Sequence, residues 1–170
     1  MNNTTRTAFE VRGNYIQGAF RLPEDPGGVI RDVNPGDPSD VVGEFPWQVD
    51  TIDEAIASAR GAFSSWRDTP QAERSALLRR YADALARRKE QMAEAISREM
   101  GKALWEARGE AGAMVAKVGI TLEDGLRLVA DHQPDGVQGR VRYLPRGVMA
   151  VIGPFNFPGH LPNGHIVPAL

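Results

Sequence analysis

The apolar positions of this chain change their spacing twice, and each spacing predicts a different kind of element. Near the start, short apolar runs are broken by turn residues. Asn14 to Phe20 predicts a hairpin around Gln17-Gly18, and residues 22–28 form a Pro/Gly-rich loop. Val29 to Val33 and Val41 to Phe45 predict two short strands joined by the turn signal NPGDPSD. From Asp50 or Thr51, either of which serves as a cap, the spacing becomes helical, with Ile52, Ile56, Ala59, Phe63 and Trp66 on one face. Thr69-Pro70 then restarts a helix as cap and first position, with the stripe Leu77, Leu78, Tyr81 and Leu85. Arg87-Arg88-Lys89 close its last turn, where cations suit the helix dipole. A shorter helix carries Met92, Ala93 and Ile96 and ends at Gly101.

The longest predicted element runs from about Leu104 to Ala130, with Leu104, Ala107, Ala111, Met114, Val118, Gly125 and Val129 facing the core. Residues 131–139 read as a polar loop. Val141 and Tyr143 alternate with Arg140 and Arg142 in a predicted strand before Pro145. After Gly147 the run Val148-Met149-Ala150-Val151-Ile152 has no polar face, which predicts a strand buried on both sides, as in parallel sheets. A tight turn, Gly153 to Gly159, follows with prolines near both ends. Helical spacing then places Leu161, Ile166 and Ala169 as apolar positions, with Pro162 in a first turn that tolerates it. Strand, turn and helix make the first unit of a doubly wound α/β sheet, in which ligands sit off the carboxyl ends of the strands.

Composition narrows the partners. Twenty basic residues against 22 acidic ones give a net charge of −2, which offers no field for nucleic acid or an anionic membrane. No apolar run approaches the roughly 20 residues of a membrane helix, and the polar start MNNTTRTAFEVRGNY lacks the apolar core of a signal peptide. A cytoplasmic location is therefore expected, and the glycosylation patterns at Asn2 and Asn3 are read as accidental. There is no cysteine, which excludes disulfides and thiolate metal sites. His160 and His165 are five residues apart, on different helix faces, so no metal site is expected. Gly101-Lys102-Ala103 lacks the Ser or Thr and the preceding glycine of a phosphate loop, and no GxGxxG or GxSxG occurs.

The polar residue of the Gly153–Gly159 turn is Asn156, flanked by aromatics and prolines. A carboxamide there either presents its NH₂ group to a cleft, as oxyanion stabilisation requires, or closes the turn on its own backbone.

The segment IGPFNFPGHLPNGHIVPAL resembles the PWNFP region of the aldehyde dehydrogenase superfamily, with Phe155 in place of the usual tryptophan. NPGDPSDVVGE, the Ala-rich stretch ending FSSW, AERSALLRRYADAL and SREMGKALWEARGE extend the resemblance upstream in order. Within the superfamily, GHLPNGHIVPAL is most similar to the succinylglutamate-semialdehyde dehydrogenases of arginine breakdown. The resemblance implies an α/β fold divided three ways. Residues 1–136 hold strands and helices of the dinucleotide-binding domain, residues 137–145 a bridging arm through which subunits pair, and residues 146–170 the first strand-turn-helix unit of its sheet.

It also implies roles. Asn156 is the catalytic donor, and Ile152, Gly153, Pro154 and Phe155 border NAD, with NADP open as the alternative. Phe157, His160, Leu161, Gly164, Met114 and Lys117 line the substrate tunnel. Family members with apolar substrates commonly have a bulky aromatic where Gly164 stands here, so this tunnel is expected to be wider and more polar. Lys117 either faces that tunnel or extends to solvent, and His160 either reads substrate or packs as a neutral ring.

The family adds a cysteine thiolate to its aldehyde before hydride leaves, and uses a downstream glutamate as base. Neither matching segment occurs here, so the chain reads as the N-terminal third of a longer enzyme, inactive alone and homo-oligomeric when complete. The substrate expected is N-succinylglutamate 5-semialdehyde. The alternatives are an aldehyde dehydrogenase for another semialdehyde, or a non-catalytic assembly module that pairs through its strands.

Overall fold

The computed structural model describes residues 8–170; the glycosylation patterns at Asn2 and Asn3 and most of the polar start lie outside the described residues. Two antiparallel ribbons open the chain. β1 (Asn14–Ile16) and β2 (Ala19–Arg21) form the expected hairpin. Gln17 and Gly18 both take positive φ, 54° and 81°, the left-handed pair that matches a two-residue hairpin to strand twist. β3 (Gly28–Asn34) pairs with β4 (Asp37–Trp47) across Pro35-Gly36, so both strands outrun the short segments expected of them.

The helices follow the periodicity closely. α1 spans Thr51–Asp68, α2 Gln71–Arg87, α3 Lys89–Met100 and α4 Leu104–Ile120. The helical path continues through a π turn, Thr121–Gly125, into α5 (Leu126–Leu128). Gly101 ends α3 in the left-handed conformation that a glycine C-cap adopts without steric cost. Some boundary chemistry differs from expectation. Neither Asp50 nor Thr51 caps α1, because the Thr51 hydroxyl donates to the Gln48 carbonyl. Thr69 ends α1, its hydroxyl bonded to the Ser65 carbonyl, rather than capping α2. Lys89 opens α3 instead of closing α2.

The core centres on α4. Ala107 and Ala111 pack with Ala93 and Ile96 of α3, while Val118 packs with Leu78 of α2 and Val167 of α6 (His160–Ala169). A buried ion pair ties the second ribbon to this bundle. Arg98 of α3 donates to both carboxylate oxygens of Asp40 on β4, at 3.0 and 2.7 Å, and Asn34 donates to the same carboxylate at 3.1 Å. The Phe9 ring lies 4.7 Å from the guanidinium carbon.

Three expectations meet a different geometry. The Val148–Ile152 strand is not formed: the segment has no regular structure and Ile152 is 92% exposed. A strand needs at least one partner to bond its backbone, and none of the described residues pairs with this segment. The expected strand around Val141 is reduced to a single bridge with His132. On α6 the buried positions are Asn163 and Val167, whereas Leu161, Ile166 and Ala169 are exposed.

α1 buries no residue at all. Its apolar face, Ala59, Phe63 and Trp66, instead lines an open cavity of about 380 Å³ with Val148, Met149 and Ile166.

Candidate active site

The turn that carries Asn156 connects the unstructured 148–154 segment to α6, and its placement depends on one buried ion pair. Lys102 lies in the three-residue link between α3 and α4, its carbonyl held by the Ser97 hydroxyl at 2.7 Å. Its ammonium donates to Glu110 Oε2 at 2.7 Å and to the Asn156 carbonyl at 2.7 Å, and rests 4.1 Å from the centre of the Phe157 ring. Glu110, on α4, is fully enclosed. Its other oxygen accepts the backbone amides of Gly159 and His160, each at 3.0 Å.

That carboxylate occupies the N-terminus of α6, which has no side-chain cap of its own. Unpaired amides and the positive end of the helix dipole both favour an anion there. Burial pushes the Glu110 carboxyl upward, but the Lys102 hydrogen bond and the two amides outweigh it and hold the group below its ordinary value.

Asn156 itself is exposed. Its side chain makes no hydrogen bond among the described residues, so the turn is closed by Lys102 and Glu110 and the carboxamide is left free to donate outward. Ile152, Gly153, Pro154 and Phe155 form an exposed shelf beside it, with Phe155 81% accessible. Their backbone groups have no partners among the described residues.

The residues expected to line a substrate tunnel are brought close in part. Phe157 and His160 meet edge-to-face with ring centres 6.4 Å apart. His160 Nδ1 is enclosed and has no hydrogen-bond partner among the described residues. Lys117 is half-buried, and a Cβ placed on Gly164 would lie 3.8 Å from its Cε, in ordinary van der Waals contact. Met114 is buried, with its sulfur against Gly159, where any Cβ would come within 2.7 Å. Leu161 is exposed, on the opposite side of α6 from Asn163. Asn163 is enclosed: it accepts from the Tyr81 hydroxyl at 2.8 Å and donates to the Met114 carbonyl at 3.0 Å. Burial raises the Tyr81 phenol above its ordinary value.

Sequence reasoning passed over Lys102, Glu110 and Asn163. For Glu110 the signal was present: it falls three residues after Ala107 and four before Met114, on the core face of α4, where a carboxylate must be paired. Among the described residues no cluster of potential ligands could hold a metal ion, and no helix is long and apolar enough to cross a membrane.

A sequence model of the aldehyde dehydrogenase family matches residues 23–170. N-succinylglutamate 5-semialdehyde dehydrogenase 2 of Caulobacter vibrioides is 44% identical over 166 residues, which are 93% of this chain and 33% of that protein. The N-succinylglutamate 5-semialdehyde dehydrogenase of Paraburkholderia xenovorans is 48% identical over 158 residues, 92% of this chain and 32% of that protein. The chain thus spans about a third of the length of the curated relatives it matches.

Among solved structures, an aldehyde dehydrogenase of Brucella melitensis superposes with a TM-score of 0.80 at 32% identity, over 91% of this chain and 32% of that one. A 1-pyrroline-5-carboxylate dehydrogenase from Thermus with bound NAD gives 0.76 at 30% identity, over 90% and 30%. The NADP complex of an NADP-dependent glyceraldehyde-3-phosphate dehydrogenase from Bacillus halodurans gives 0.75 at 31%, over 85% and 32%. In sequence and in fold, this chain belongs to the aldehyde dehydrogenase family.

Proposed function

We propose that these 170 residues form the N-terminal third of an NAD(P)-dependent aldehyde dehydrogenase that oxidises N-succinylglutamate 5-semialdehyde to N-succinylglutamate. The observation that carries this reading is the free carboxamide of Asn156, exposed on a turn fixed by a buried ion pair. When a nucleophile adds to an aldehyde carbon, the carbonyl oxygen gains charge, and a preset N–H donor stabilises that charge most. Asn156 Nδ2 is that donor. With no cysteine in the chain, the thiolate nucleophile belongs to the remainder of a longer protein, and the 170 residues alone are inactive.

The exposed shelf of Ile152, Gly153, Pro154 and Phe155 suits a dinucleotide, because its unpaired backbone groups lie directly before Asn156. NAD, or NADP in its place, would supply the hydride acceptor there. Met114, Lys117, Phe157, His160, Leu161 and Gly164 then line the aldehyde's path. The remaining roles follow the same family reading. Residues 1–136 and 146–170 contribute to the dinucleotide-binding domain of a cytoplasmic enzyme. Residues 137–145, with Tyr143 and Leu144 exposed, pair with another subunit of a homo-oligomer.

The substrate assignment rests on polarity. The relatives named above act on a semialdehyde that also bears carboxylates, and a carboxylate in a closed tunnel requires paired donors. Lys117 beside Gly164, and the imidazole of His160, whose enclosed Nδ1 has no partner among the described residues, would be donors of the right kind. Replacing His160 by Leu, or Lys117 by Met, in the longer enzyme is expected to lower kcat/KM for N-succinylglutamate 5-semialdehyde selectively. An uncharged aldehyde of similar length is the control. Equal losses on both would mean that these side chains shape the tunnel without reading the carboxylate.

A further inference from the structure

The Lys102–Glu110 pair touches no reacting group, yet the Asn156 carbonyl and the amides at the C-terminal end of its turn are both bonded to it. We infer that Lys102 is a positioning residue for the oxyanion donor: by holding the Asn156 carbonyl, it aims the carboxamide at the reacting oxygen. This rests on the reading of Asn156 given above.

The geometry leaves the turn little freedom. Gly101, at φ 64°, turns the chain out of α3, and the Ser97 hydroxyl fixes the Lys102 carbonyl, so the root of the lysine is set before its side chain begins. Two hydrogen bonds and the face of the Phe157 ring occupy the ammonium. At the far end, Glu110 Oε1 ties down the amides of Gly159 and His160. These anchors hold the Asn156 carbonyl and the chain that follows it into α6.

A hydrophobic pair would fill the same volume without the cost of burying two charges, so stability alone gives no reason for an ion pair here. Holding a backbone carbonyl and two backbone amides at once does give one, since an aliphatic side chain can do neither. Lys102 and Glu110 also come from different elements than the turn. The aim of Asn156 is thereby referred to the α3–α4 bundle instead of to the unstructured segment before it.

The test is a double-mutant cycle in the longer enzyme, with kcat and KM measured for wild type, Lys102→Met, Asn156→Ala and the combined variant. Lys102→Met is expected to lower kcat by about 10²-fold, the scale of a misplacement near 1 Å, with KM for the aldehyde little changed. In the Asn156→Ala background the same change is expected to add less than about threefold, as coupled sites do. Losses that multiply would overturn the inference, because Lys102 would then act independently of Asn156. If Asn156→Ala alone leaves kcat near normal, the donor reading itself fails, and that outcome is distinct. Should Lys102→Met not fold, Lys102→Arg keeps a cation beside Glu110 and carries the same cycle, with a smaller loss that must likewise vanish in the Asn156→Ala background.

Discussion

Asn156→Ala in the longer enzyme is expected to lower kcat by about 10²–10³, corresponding to roughly 2.7–4 kcal/mol of transition-state stabilisation. The fold should be indifferent to the change. Asn156 is exposed and its side chain makes no bond to the described residues, so truncation leaves no buried group unpaired and opens no cavity. Dinucleotide affinity should also hold, since the residues proposed to meet that ligand, 152–155, are not altered by the substitution. The oxyanion alone loses a partner. A variant with near-normal kcat would remove Asn156 from catalysis and leave it a spacer in the turn.

The second large effect concerns stability. Arg98→Met removes the guanidinium that donates to both oxygens of the enclosed Asp40 carboxylate, and is expected to destabilise the fold by about 3–5 kcal/mol. Removing one member of an enclosed ion pair costs more than the attraction it forgoes, because the remaining carboxylate stays out of water. The double replacement Asp40→Leu with Arg98→Met is therefore expected to recover most of the loss, even though it deletes the interaction entirely. Denaturant midpoints of the single and double variants check this. A single variant within about 1 kcal/mol of wild type, the range of exposed pairs, would contradict this reading of the pair.

The elements whose signals are local were readable from the sequence. Gly18 marks the hairpin turn through glycine's tolerance of positive φ, and Gly101 stops α3 for the same reason. The middle of the expected stripe, Ala107, Ala111, Met114 and Val118, is buried because three neighbouring helices cover that face, whereas Leu104 and Val129 at its ends are exposed. The failures are equally physical. Val148 to Ile152 reads as a strand, but a strand exists only with partners, and none lies among the described residues. On α6 the spacing of Leu161, Ile166 and Ala169 points to the wrong face. Asn163 is buried instead because Tyr81 and the Met114 carbonyl, 82 and 49 residues away, satisfy its amide.

The candidate site was legible in the same uneven way. Asn156 stood out as the polar group of a rigid turn, whereas the clamp that holds it joins Lys102 to a residue 54 positions away. Glu110 carried a legible clue, a charge on an apolar stripe, but its partners at Gly159 and His160 are backbone amides, which leave no mark in side-chain identity.

The central claim is that this chain supplies the oxyanion donor, but not the nucleophile, of an aldehyde dehydrogenase. The most direct test is to follow NADH or NADPH formation from N-succinylglutamate 5-semialdehyde, with the 170-residue chain and with the longer protein that contains it, at equal concentration. Steady formation by the longer protein and none by the 170 residues is the expected result. Sustained formation by the 170 residues alone, or none by the longer protein with either dinucleotide, would contradict it.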